Sequence, residues 1–178
     1  MKFFRYALMG VFAASLMSVA GVSTAADAAL KVDYPDGWRD WTHIKSMVIF
    51  DEVHPLFGAF GGIHHVYGND SAVKALKSKS KLPVGAKIVF DLLAIETASG
   101  AHTEGARKFT AVMEYNPEKF AATEGWGWQA WGGDSRDTVL NDLASQKSCS
   151  TCHDTIREGD EIMATAPDKQ RIFTEWRK

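Results

Sequence analysis

The chain has 178 residues, with 20 basic against 22 acidic side chains, a net charge of −2 and only two cysteines. A mildly acidic chain without a basic cluster gives no support to nucleic-acid binding. It has no Lys/Arg-rich amphipathic stretch of the kind that holds a helix on a membrane surface. Both cysteines lie within one short motif, so none is left for a disulfide framework.

The start of the chain reads as a secretory signal. Lys2 and Arg5 form a positive beginning, Ala7 to Val19 is an uncharged apolar run, and Ser23-Thr24-Ala25-Ala26 supplies small residues for a cut after Ala25 or Ala26. The run is shorter than the roughly 20 residues that span a bilayer. Residues 1–26 are therefore predicted to be removed, leaving 27–178 as one domain with no membrane insertion. That domain carries 18 basic and 22 acidic residues, a net charge of −4, and is long enough to bury a core.

The elements follow in order. Asp36-Gly37 marks a turn in a lead-in that holds Trp38 and Trp41. Ile44 to Phe50 reads as a strand, and Asp51 to Gly58 as a loop. Phe60 to Tyr67 reads as a second strand, with Phe60, Gly62, His64 and Val66 on one face. Asn69 or Asp70 caps a short helix to about Lys79. Lys87 to Glu96 is the clearest strand, with Ile88, Phe90, Leu92 and Ala94 on one face. Thr97 to Gly105 reads as a loop, and Arg107 to Tyr115 as a strand with Phe109, Ala111, Met113 and Tyr115 on one face. A helical turn is expected within Pro117 to Ala122, and a tryptophan-rich strand over Gly125 to Trp131. A helix is predicted from Asp134 or Ser135, and a last helical piece over about Lys169 to Arg177.

The predicted late helix delivers Cys149-Ser150-Thr151-Cys152-His153. C-x-x-C-H is the attachment pattern of a c-type haem. Two intervening residues let both sulfurs reach one porphyrin edge, and the histidine that follows comes under the iron. A thiol redox pair needs no histidine there. One covalent haem c, held by Cys149 and Cys152 with His153 as the metal ligand, is the expected cofactor. Such attachment takes place outside the cytoplasmic membrane, so the periplasm is the expected compartment. Small electron-transfer cytochromes carry this motif early, with a methionine ligand downstream; here 25 residues follow His153 and Met163 is the one methionine among them. Four-helix cytochromes would need long amphipathic helices, whereas this chain offers about five strands. The fold class is therefore α+β, an antiparallel sheet of about five strands with flanking helices.

That order of elements resembles the cytochrome P-460 and cytochrome c′-beta family. The resemblance rests on Tyr34-Pro35 followed by Trp41, on Phe60-Gly-Gly-Ile-His-His-Val-Tyr67 and on the helix from Asn69 to Lys79. It continues through Pro83-Val-Gly-Ala-Lys-Ile-Val-Phe-Asp-Leu92, Gly125-Trp126 and the C-terminal haem motif. It implies a homodimer and a five-coordinate haem with an open distal side. One branch of the family oxidises hydroxylamine and carries a lysine cross-linked to its haem. The other branch lacks that bond and binds nitric oxide and carbon monoxide in a phenylalanine-lined pocket.

Aligned on Gly85, the cross-linking lysine of the first branch falls at Phe90. Lys87 is an odd number of residues away and points to the other face of the strand. The expectation is therefore a gas-binding haem protein, with Phe90 and Phe60 (or Phe57) capping the pocket. The alternatives are a hydroxylamine or nitrogen-oxide oxidoreductase and a periplasmic electron carrier with a redox partner protein; no catalytic residue is assigned. His64, on the face of Phe60, stands where the resemblance places an arginine. It is a candidate proton relay or hydrogen-bond donor to a ligand, a candidate sixth ligand, or a structural histidine. His65 is expected at the surface or an interface, His43, His54 and His102 in solvent, and Trp126 and Trp128 in core or interface packing.

Overall fold

The computed structural model describes residues 30–154 and Trp176. The signal segment, Met163 and the last helical piece, apart from Trp176, lie outside these residues. Five strands form one antiparallel sheet in chain order: β1 (Thr42–Ile49), β2 (Gly62–Gly68), β3 (Lys87–Ala98), β4 (Ala101–Tyr115) and β5 (Trp126–Gly132). Among the described residues three α-helices accompany it, α1 (Phe57–Phe60), a single turn; α2 (Asp70–Ser78); and α3 (Leu143–Asp154), with short 3-10 turns at Trp38–Asp40 and Ala121–Thr123. Among the described residues no helix is long and apolar enough to cross a membrane.

Register assigns the two faces of the sheet. Val66 lies opposite Phe90, Phe90 opposite Ala111, and Ala111 opposite Ala130. The next row along is His64, Leu92, Phe109 and Gly132; the row on the other side is Gly68, Ile88, Met113 and Trp128. Side chains of paired residues share a face, so these rows form one surface, here the helix face. α2 and α3 pack on its Trp128 end, in a core of Ala72, Ala75, Leu82, Ile88, Met113, Trp126 and Trp128 that Cys149 joins.

The opposite face is covered by the lead-in. Leu30, Val32 and Trp38 pack there with Val89, Val112, Phe120 and Trp131. One ion pair is buried at its margin: Arg107 donates to Asp91 through Nε at 2.5 Å and Nη2 at 3.1 Å, and through Nη1 to Asp134. Asp91 is 3% exposed.

Several boundaries differ from expectation, three of them near the candidate site or its strands. β3 and β4 are not separated by a loop over Thr97 to Gly105. They meet in a two-residue hairpin at Ser99-Gly100, both at positive φ, the conformation whose twist matches the flanking strands. The strand expected from Phe60 begins at Gly62, because Phe60 closes α1. The helix expected from Asp134 or Ser135 begins at Leu143. The preceding segment instead tacks onto the edge of β5, where Leu140 N–H donates to Ala130 O at 2.9 Å.

Gly62 makes the passage from α1 into β2. Its φ is +143°, and a Cβ there would fall on the carbonyl oxygen of Leu93. Gly62→Ala is expected to destabilise the domain by about 1–3 kcal/mol, an overpacking cost, read as a lower denaturation midpoint with an unchanged slope.

Candidate functional site

The C-x-x-C-H motif, Cys149 to His153, sits in α3, and two side chains aim that helix. Asn141 grips β5 three ways: its Oδ1 accepts from Ala130 N–H at 2.8 Å and Gln129 Nε2 at 3.0 Å, and its Nδ2 donates to Trp128 O at 3.0 Å. Asp142 caps the helix, with Oδ1 accepting from Ser145 N–H at 2.9 Å and Ser145 Oγ at 2.7 Å. Those bonds hold its carboxyl below the usual carboxylate value. The helix then turns Gln146, Cys149, Ser150 and His153 inward at helical spacing. Gln146 and Ser150 are buried, Cys149 and His153 half-buried, and Cys152 is exposed at the rim.

Burial, then the neighbouring Cys152 thiol, pushes the Cys149 thiol above its ordinary value. Redox C-x-x-C pairs work with a lowered thiol pKa; the shift at Cys149 runs the other way. The His153 ring packs on Trp128, with centroids 4.4 Å apart. Trp128 was expected in core or interface packing. It is core, and it is also the surface on which the motif histidine rests.

Beyond Trp128 the helix face becomes small, then aromatic. Ala111 and Ala130 form a half-buried strip between Trp128 and Phe90. The Phe90 ring then meets three others: Phe60 at 5.9 Å, Phe109 at 5.9 Å and His64 at 4.8 Å between centroids. Phe60 also meets Phe109, at 6.2 Å. Phe60, Phe90 and His64, singled out from sequence, therefore do come together. Phe109 is the added member. Its alternation with Ala111 placed it on a face, but only the β3–β4 register places it beside Phe90.

His64 is 1% exposed. Its Nε2 donates to the Phe60 carbonyl, and its Nδ1 is buried without a hydrogen-bond partner among the described residues. Burial is the main cause lowering its pKa; His54, His65 and Lys108 add like charge, while the Phe60 carbonyl works the other way. The unfolded chain therefore takes up this proton first. The stability that neutral His64 contributes is complete above about pH 6.5 and is lost as pH falls through the lower folded value. Denaturation midpoints between about pH 5 and 7 should fall for the native chain and fall less for His64→Gln.

The remaining candidates lie elsewhere. Lys87 pairs with Glu114 at 3.3 Å on the face away from Phe90. Lys108 Nζ donates to Gly61 O at 2.8 Å and so ties α1 to β4. His65 is on the lead-in face, joined to Ser46 at 2.7 Å and Glu104 at 2.6 Å. His43, expected in solvent, belongs to the same chain of contacts through Ser46 at 2.9 Å. His102 and Thr97 are joined across the hairpin at 2.8 Å. His54 is exposed; its Nδ1 accepts from Leu56 N–H at 3.2 Å.

The family model for Cytochrome P460 matches residues 35–164. No curated protein matches the chain. The match implies a haem cofactor, and the residues present fit one. A single helix presents two thiols and an imidazole. They stand beside an apolar strip whose centre, Phe90, Ala111 and Ala130, is half-exposed although β3 and β4 are interior strands. Trp128 Nε1, buried beside His153, has no acceptor among the described residues, and a haem propionate would supply one.

Proposed function

The chain belongs to the cytochrome P460 family, and on that premise we propose that it is an exported, periplasmic protein with one covalent haem c that binds small gas ligands such as nitric oxide and carbon monoxide. Cys149 and Cys152 are the attachment residues and His153 the metal ligand. When bound, the haem supplies a Lewis-acidic, redox-active iron. The protein's part would be to hold that iron through His153 and to shield a bound ligand with the phenylalanine cluster.

The observation that carries this reading is the aromatic cluster. Phe60, Phe90 and Phe109 bring no lone pair and no charge to the pocket. Their rings exclude water and bulky ligands, while a diatomic molecule needs only a small ring displacement. Phe90 stands on β3 where the hydroxylamine-oxidising branch would carry its cross-linking lysine. Lys87 faces away and Lys108 is engaged with Gly61. These placements favour ligand binding over hydroxylamine oxidation.

A homodimer is part of the same proposal. β1 is an edge strand, and Met47, Val48 and Phe50 at that edge are 48%, 44% and 68% exposed. Exposed apolar residues on an unpaired edge favour association with a second copy.

Anaerobic titration of the ferrous protein with nitric oxide and with carbon monoxide, followed optically, tests the function. Saturable, stoichiometric binding of both is expected. Refusal of both gases, or steady turnover of hydroxylamine with an electron acceptor, would replace this reading.

A further inference from the structure

A second property of the pocket follows from the tautomer of His64. A carbonyl oxygen can only accept a hydrogen bond. The contact between His64 Nε2 and Phe60 O therefore places the ring proton on Nε2. In the neutral ring Nδ1 is then a bare lone pair. It is buried, it has no partner among the described residues, and its ring lies 4.8 Å from that of Phe90. A buried acceptor left unmatched costs free energy, and a donor brought in by a ligand recovers it. This reverses one of the roles that the sequence leaves open for His64, donation to the ligand.

The polar groups around the ring do not supply that donor. Lys108 spends its ammonium on Gly61 O at 2.8 Å, and His65 lies on the other face of the sheet with Ser46 and Glu104. The neighbours on the helix face, Phe60, Phe90, Leu92, Val66 and Met47, offer no N–H or O–H side-chain donor. Among the described residues His64 Nδ1 is thus the unpartnered side-chain polar atom of an otherwise apolar cluster, and it is an acceptor.

We infer that His64 is a specificity-determining residue whose Nδ1 accepts a hydrogen bond from the molecule in the phenylalanine pocket, favouring small neutral ligands that carry N–H or O–H over anions that can only accept. The inference rests on the haem-binding reading above. Carbon monoxide and nitric oxide gain nothing from His64 and rely on the iron and the rings. Azide meets a lone pair facing its own. Ammonia, hydroxylamine or water presents a proton to it.

The test uses ferric holoprotein at about pH 9, where neutral ammonia is available. It compares dissociation constants for ammonia and azide in the native protein, His64→Leu and His64→Gln. His64→Leu should weaken ammonia about three- to tenfold, the value of one hydrogen bond, and leave azide unchanged or tighter. His64→Gln, whose amide can donate to Phe60 O and still offer an oxygen, should restore the preference for ammonia. The nitrogen-15 spectrum of the diamagnetic ferrous carbon monoxide complex should show the proton on Nε2 and a bare Nδ1. A proton on Nδ1, weaker azide binding in His64→Leu, or equal changes for both ligands overturns the inference. Those outcomes leave haem attachment and gas binding intact; a holoprotein that takes neither azide nor carbon monoxide fails the ligand-binding reading itself.

Discussion

Replacing Cys149 and Cys152 together by serine is expected to abolish covalent haem, the largest functional effect of any change considered. In the native protein, acid–acetone extraction should leave the colour with the polypeptide, and the intact mass should exceed that of the chain by one haem. In the double variant the mass should be that of the bare chain, with any residual haem extracted. Single variants should retain haem through one bond, and Cys152→Ser should do so with less disturbance to the fold. Cys149 is half-buried against the core that includes Trp126 and Trp128, whereas Cys152 is exposed at the rim. His153→Ala separates the roles, because it leaves both thiols and removes the imidazole from Trp128. Haem should remain attached while the iron loses its protein ligand.

Arg107→Met is expected to have the largest effect on stability, a loss of about 3–5 kcal/mol. The guanidinium forms a fork with Asp91 and also bonds Asp134. The Asp91 hydrogen bond is the main cause of its raised pKa. Asp91 is opposite Thr110 and His65 in the middle of the sheet and is 3% exposed. Removing Arg107 leaves a carboxylate with neither water nor a counter-ion. The same physics predicts that Arg107→Met with Asp91→Leu recovers most of the loss, since an apolar pair of similar volume costs little where a lone charge costs much. Urea denaturation of the native chain, the single and the double variant measures this. A single-variant loss under about 1 kcal/mol would mean that the pair is far better solvated than its burial implies.

Much of the site was legible because its information is local. C-x-x-C-H needs only spacing. Alternation was enough to put Phe90 on the face away from Lys87, and the pairing Lys87–Glu114 agrees. Asn69 was readable as a cap, and its Oδ1 does accept from Ala72 N–H at 3.1 Å.

Phe109 was not legible, for a reason of register. Had pairing run without interruption from Ala98 opposite Ala101, Phe90 would have faced Phe109. Irregularities around Leu92, Leu93 and Ile95 shift the strands, so Phe90 faces Ala111 and Phe109 sits two pairs along, opposite Leu92. No period-two pattern records such bulges. The hairpin that sets the register was itself hidden, since Ser99 adopts a positive φ that sequence alone assigns to glycine or asparagine. The start of α3 was misplaced because Val139 and Leu140 sit at helical spacing. They are 50% and 52% exposed, and β5 claims their backbone instead. The tautomer of His64 was beyond sequence altogether, because it depends on where α1 leaves the Phe60 carbonyl.

In the proposed holoprotein His153 would be the iron's one protein ligand, with phenylalanine rings and a proton-accepting His64 lining the ligand pocket. The optical and electron paramagnetic resonance spectrum of the ferric holoprotein at neutral pH tests that claim most directly. A high-spin, five-coordinate spectrum with an unshifted Soret band is predicted. A low-spin, six-coordinate spectrum, from His64 or Met163 on the iron, or a strongly red-shifted Soret band from a cross-linked macrocycle would contradict it.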